Sequence, residues 1–253
     1  MGEPANVLPQ MIWPEVQEAL KSARLAIIPT GACEQHGPNM TLETDSAICY
    51  AIAERLTERL HPRALLAPLV PWGVSPHHMD FPGTITLRPE TFDAILWDVV
   101  TSLKRHGLSH FFLVNGHGGN IAPLEVLSSK LRDGLGVHVA AMMYMRLASD
   151  VIKEGAQTSL YGHACEVEAS VGLYVAPHTV REERVEGEVL RYAHPHTDLY
   201  AAGRLDYPFQ FNELTSNGAL GDARLATYEF GEQIVETTLT RTVEFLESFM
   251  AKD

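Results

Sequence analysis

Cysteine is scarce in this chain. Cys33, Cys49 and Cys165 are the only three in 253 residues, and no two stand in a Cys-x-x-Cys pair. A disulfide framework or a thiolate zinc knuckle is therefore excluded, and a reducing compartment is the default. Long apolar runs are missing too, since no stretch approaches the roughly 20 residues that cross a bilayer. The opening MGEPANVLPQMIWPEV has neither the basic nor the apolar segment of a secretory leader. Positive charge is in deficit: 19 Lys and Arg stand against 32 Asp and Glu, a formal net charge of -13. Nucleic acid and anionic membrane surfaces need clustered cations, so neither is an expected partner. Linkers, repeats and low-complexity tracts are absent as well. Together these predict a soluble cytoplasmic protein forming one domain over residues 1–253.

What is present is a 45% hydrophobic chain in which short apolar runs alternate with helical patterns. Pro14–Ser22 carries a modest helical pattern, followed by a strand at Leu25–Ile28. Ile48, Ala51, Ile52, Leu56 and Leu60 recur at helical spacing, which predicts a helix over Ser46–Leu60 capped by Thr44 or Asp45. Leu65–Val70 reads as a strand and Thr84–Leu87 as a shorter one. Pro89–His106 is a helix, with proline early, acids in its first turn and cations in its last. The strand His110–Val114, a helix from Ile121 or Ala122 to Leu131, and the strand Val137–Tyr144 follow. Near the carboxyl end, Ala223–Met250 reads as a long helix with a stripe through Ile234, Leu239 and Phe245. Such alternation predicts an α/β fold with a mainly parallel, helix-covered sheet.

Three stretches carry metal-seeking side chains. Gly31–Asp45, GACEQHGPNMTLETD, leaves the first apolar run and holds Cys33, Glu34, His36 and Asp45. In an extended backbone, positions two apart share a side, so Glu34 and His36 can reach one point while Gln35 faces elsewhere. The competing reading makes Asp45 a helix cap. Asn115–Asn120, NGHGGN, follows a buried strand. It lacks the glycine spacing and lysine of a phosphate cradle, so a histidine presented by a glycine turn, His117, suits a metal better. Gly162–Ser170, GHACEVEAS, adds His163, Glu166 and Glu168. On a helix His163, Val167 and Ser170 share a face, and a helix beginning between His163 and Glu168 would aim both into one cavity. Cys165 reads as a small packed residue. Between the first two stretches, PWGVSPHHMDFPGTITL places His77 beside His78. Adjacent extended residues point opposite ways, so substrate contact by Ser75 and His78 is expected rather than ligation.

Together these stretches resemble the creatininase (creatinine amidohydrolase) family. The motif G-[SA]-x-E-Q-H-G-P-x-[LM]-x-x-x-T-D is met by Gly31–Asp45, N-G-H-G-G-N by Asn115–Asn120, and H-A-x-x-x-E-[TA]-S by His163–Ser170. F-P-G-T recurs at Phe81–Thr84 and G-D-x-x-x-A-T at Gly221–Thr227. The resemblance implies a three-layer α/β/α sandwich whose central sheet is mainly parallel but mixed, and commonly a hexameric homo-oligomer. It also implies two divalent metal ions, one on Glu34, Asp45 and His117, the other on His36, Asp45 and Glu168, with Asp45 bridging. Imidazole mixed with carboxylate suits Zn, Mn or Fe. His163 is the expected proton donor to a departing nitrogen, and Gly118 joins Ser75 and His78 as a substrate contact. The expected reaction is hydrolysis of a C–N bond in a small amide, lactam or formamide by a metal-activated water.

The departures concern the substrate. Creatininase resembles N-G-H-Y-E-N at the second motif, its glutamate supplying a ligand, whereas this chain has Gly118 and Gly119 there. Its Trp-Asp pair before the third-motif histidine is Ser159-Leu160 here, and its Leu-Pro is Met40-Thr41. Creatinine is therefore not the expected substrate. Formamide deformylase and peptidase-like activities are the rivals within the family. A non-catalytic metal-binding module and an anion-binding regulatory domain are the rivals outside it.

Overall fold

The computed structural model describes residues 6–158, 161–190 and 207–251. Ser159 and Leu160 lie outside the described residues, and so do residues 193–206 of the His-, Tyr-, Pro- and Gly-rich stretch Ala193–Phe211, which is expected as an irregular excursion near the site or at a subunit contact. In chain order the elements are α1 (Trp13–Ala19), β1 (Leu25–Thr30), α2 (Thr44–Arg59), β2 (Ala64–Leu66), α3 (Pro89–Arg105), β3 (His110–Asn115), α4 (Ile121–Leu135) and β4 (His138–Met143). After these come α5 (Ser149–Gly155), α6 (Glu166–Val175), α7 (Phe211–Leu214) and α8 (Tyr228–Phe249).

The sheet runs β2-β1-β3-β4 and every pairing in it is parallel. Among the described residues, antiparallel pairing is confined to isolated bridges such as Cys33 with Ile85 and Met40 with Val180. All six residues of β1 and of β3 are buried, as expected where helices cover both faces. Alternation divides them. Leu25, Ile27, Phe112 and Val114 join the core beneath α2, α6 and α8. Ala26, Ile28, Phe111 and Leu113 join the core beneath α3 and α4. The expected α/β/α layering is thus present.

Several expectations shift in detail. The run Leu65–Val70 pairs as a strand only through Leu66, because Pro68 cannot donate to a ladder; Val70 returns to bridge Thr30. Thr84–Leu87 reduces to the single Ile85 bridge. α2 begins earlier, at Thr44, with Glu43 in the cap position making no side-chain cap bond. The terminal helix starts at Tyr228, where Thr227 accepts from the Phe230 N–H. Of its stripe, Ile234 and Leu239 are buried while Phe245 is largely exposed.

The order of crossovers positions the site. From β1 the chain leaves through α2 to β2 on one side; from β3 it leaves through α4 to β4 on the other. The two departures use opposite faces and open a crevice beyond the carboxyl ends of β1 and β3. Such a switch point is where open α/β sheets bind ligands.

Candidate metal centre

Each of the three stretches delivers its side chains to that crevice. The loop after β1 supplies Glu34 and His36, the first turn of α2 supplies Asp45, and the turn after β3 supplies His117. The segment ahead of α6 supplies His163, and its first turn Glu168. All six are buried.

Asp45 stands at the middle, its two oxygens facing opposite groups. Oδ1 lies 3.2 Å from His36 Nε2, which is itself 3.6 Å from Glu168 Oε1. Oδ2 lies 3.2 Å from His117 Nδ1, which is 3.1 Å from Glu34 Oε2. Both histidines present a ring nitrogen inward because the other nitrogen meets a backbone carbonyl. His117 Nε2 donates to the Val74 carbonyl at 3.1 Å, and His36 Nδ1 to that of Glu34 at 3.1 Å. Orienting contacts of this kind usually support metal-bound imidazoles.

The donor set fits divalent metals. Glu34, Asp45 and His117 offer three ligand atoms within 4.8 Å of one another, and so do His36, His163 and Glu168. Among the described residues, Glu34 Oε2 and Asp45 Oδ2 are buried with no hydrogen bond of good geometry beyond the approach of His117, a costly arrangement unless a cation satisfies them. Metal-free, the imidazoles take that part. Burial opposes a proton on His117, but Glu34 and Asp45 prevail and push its pKa up to about 10. His36 likewise moves well up against burial, through Glu168 and Asp45. Asp45 moves down despite its burial, through His36 and His117, and so does Glu168, chiefly through His36.

The substrate-contact candidates surround this centre. Ser75 is buried with Oγ 3.2 Å from His117 Nε2. His78 Nε2 lies 3.5 Å from Glu34 Oε1, so that Glu34, His78 and His163 form a third cluster of potential ligands. Gly118 is exposed, and a Cβ there would meet nothing within 4 Å among the described residues. Gly119 differs: a Cβ would collide with the Val74 carbonyl and His117 Nε2. The glutamate expected of creatininase at that position has no room in this arrangement, and Glu168 stands across Asp45 instead.

Two readings need correction, and a third is decided. Asp45 is not a cap; it lies inside the first turn of α2 with its carboxylate in the crevice. Of the two placements open for His163, the helix beginning between it and Glu168 is the one found: His163 precedes α6 and pairs with Leu220 by backbone hydrogen bonds of 2.8 and 3.3 Å. His77 and His78 do not diverge, because Pro76–His78 forms a 3-10 turn and their rings sit 4.4 Å apart. His77 stacks on His117 at 5.7 Å, and its burial, with His117 nearby, lowers its pKa to about 4.

Other participants were missed. Phe211 stacks on His78 at 4.3 Å and meets His163 edge-on at 4.8 Å. With Phe209, 6.4 Å from His77, it gives the site an aromatic wall. No period or motif marks these phenylalanines. Asn120 ties three loops together: it accepts from the Val74 N–H and donates to the Gly31 carbonyl and Asn115 Oδ1. Gln35, expected to face elsewhere, is buried between His78 and His163.

The whole of this framework, residues 9–246, matches the family described as Creatininase, creatinine amidohydrolase. The chain belongs to the creatininase family. It is 30% identical to the mycofactocin precursor peptide peptidase of Mycolicibacterium smegmatis over 215 residues, covering 83% of this chain and 79% of that protein. The creatinine amidohydrolase of Pseudomonas putida is 26% identical over 248 residues, 90% of each chain. A Bacteroides fragilis structure described as a candidate creatinine amidohydrolase superposes with a TM-score of 0.84 at 26% identity, covering 99% of this chain and 98% of that one. This creatininase-family chain is accordingly a hydrolase with a cluster of side chains suited to metal binding.

Proposed function

We propose that this protein is a metal-dependent amidohydrolase that cleaves a C–N bond of a small amide. The observation carrying this reading is the division of Asp45 between two imidazole–carboxylate sets, a bridging geometry. Glu34, Asp45 and His117 would hold one divalent ion, and His36, Asp45 and Glu168 the other, with zinc, manganese and iron all matching the donors. Two such ions would ease deprotonation of a shared water and polarise the attacked carbonyl.

The protein's own groups supply the remainder. His163 is drawn below its usual pKa by burial, with His36 adding to the effect. It is therefore neutral at rest and can accept a proton at Nδ1, then deliver it to the departing nitrogen. His78 and Ser75 contact the substrate, Phe209 and Phe211 exclude water from one side, and the space at Gly118 admits a substituent. The missing glutamate at Gly119 argues against creatinine.

A second reading, cleavage of a peptide, is favoured by the likeness to a named peptide peptidase over most of the chain. A screen of cyclic amides, formamides and short peptides with zinc- and manganese-loaded protein separates the two. Turnover that stops on chelation and returns with metal is expected. His163→Ala is expected to lower kcat about 100- to 10,000-fold, as for loss of a general acid–base group. Two bound metals with no turnover on any class would favour a binding module and contradict the proposal.

A further inference from the structure

Gln35 is the middle residue of Glu34-Gln35-His36, and the residue is 5% exposed. Two backbone groups of fixed character settle which end of its amide is which. The Gly37 N–H donates to Oε1 at 2.8 Å, and Nε2 donates to the Gly218 carbonyl at 3.1 Å. The remaining amide hydrogen points at His78 Nδ1, 2.8 Å away. Because that contact comes from a donor, His78 Nδ1 must carry the lone pair and Nε2 the hydrogen. The main-chain carbonyl of the same Gln35 faces His163 Nε2 at 2.6 Å. A carbonyl only accepts, so His163 Nε2 carries the hydrogen and Nδ1 the lone pair. The 3.1 Å approach of Gln35 Nε2 to His163 Nε2 is then a contact between two donors, not a bond.

From this we infer that Gln35 is a positioning residue that holds His78 and His163 in the same tautomer, with the hydrogen on Nε2, while the two rings turn opposite nitrogens inward. His163 Nδ1, 3.9 Å from Glu34 Oε1, presents a lone pair. His78 Nε2, 3.5 Å from the same oxygen, presents an N–H. A ring with its hydrogen on the inward nitrogen cannot ligate a metal there, which removes His78 from the third cluster of potential ligands. It can instead donate to Glu34 or to a substrate carbonyl. For the reaction this consequence rests on the hydrolase reading above: one ring of the pair takes up a proton, and the other offers one. The assignment of the tautomers does not depend on that reading.

The test is two-bond 1H–15N correlation spectroscopy of zinc-loaded protein carrying 15N-histidine, with the rings assigned through His78→Phe and His163→Phe. Wild type is expected to show His78 as the Nε2–H form and His163 with its hydrogen on Nε2. Gln35→Leu, which removes the donor, is expected to give His78 an averaged pattern of both forms. Gln35→Glu, which offers an acceptor, is expected to move the His78 hydrogen to Nδ1. His78 protonated at Nδ1 in wild type would overturn the inference, and so would an unchanged His78 pattern in both variants. Should Gln35→Leu fail to fold, the wild-type and Gln35→Glu spectra still decide the matter. These spectra require no substrate, so failure of the hydrolase reading would appear separately, as bound zinc without turnover.

Discussion

Asp45 faces one imidazole with each oxygen, so its removal strikes both halves of the centre at once. Asp45→Asn keeps the shape and removes the charge. Metal affinity is expected to fall by more than the about 10- to 100-fold that loss of an outer partner costs, read by competition with a chelating dye. The imidazoles set the pH response of the metal-free protein. His36 and His117 hold their protons more tightly when folded than unfolded. That contribution to stability is complete below the unfolded value of about 6.5 and is lost as the pH climbs through about 10, the folded value of His117. Asp45 and Glu168 act oppositely, their depressed pKa values withdrawing stability on acidification. Metal-free protein should therefore lose stability in alkali that the loaded protein keeps, as thermal melts across pH would show. Since ligation needs neutral imidazole, loading at pH 7 should release protons, measurable by calorimetry in buffers of different ionisation enthalpy. Equal heats in all buffers would contradict this.

At the scale of elements, two neighbouring glycines make a sharp contrast. Gly119→Ala would press a methyl against the Val74 carbonyl and His117. A loss of about 1–3 kcal/mol is expected, together with weakened metal binding. Gly118→Ala meets nothing among the described residues and should stay within about 0.5 kcal/mol of the parent. Denaturant titration of the pair checks both. The same element shows what the sequence could disclose. His117 was legible because a glycine turn after a buried strand has few other uses, and Glu34 and His36 because alternate residues share a side. Asp45 was ambiguous, since a carboxylate in a first helical turn serves equally as a cap. The pairing of His77 with His78 was misread because Pro76 starts a 3-10 turn where an extended backbone was expected. Phe209, Phe211 and the partners of Gln35 were illegible: they meet the centre through tertiary packing across long stretches of chain.

Across the whole molecule, the layered fold was legible from its alternating patterns, and the crossovers explain why the centre lies beyond β1 and β3. Both apolar cores occupy the faces of the sheet, so chelation should leave the far-ultraviolet dichroism unchanged. It should lower stability only by mass action, about 2.7 kcal/mol if metal had been at a hundred times its Kd. Loss of helical signal on chelation would instead make the metal a folding element. Within the core, Tyr144 is fully buried, and among the described residues its hydroxyl has no hydrogen-bond partner. Tyr144→Phe removes that unpaired group and should leave Tm unchanged or raised; a loss above about 1.5 kcal/mol would show that the hydroxyl is satisfied. The central claim concerns two cations sharing Asp45, and anomalous diffraction from crystals of the zinc-loaded protein tests it most directly. The account predicts one peak between Glu34, Asp45 and His117 and a second between His36, Asp45 and Glu168; peaks elsewhere, or none touching Asp45, would contradict it.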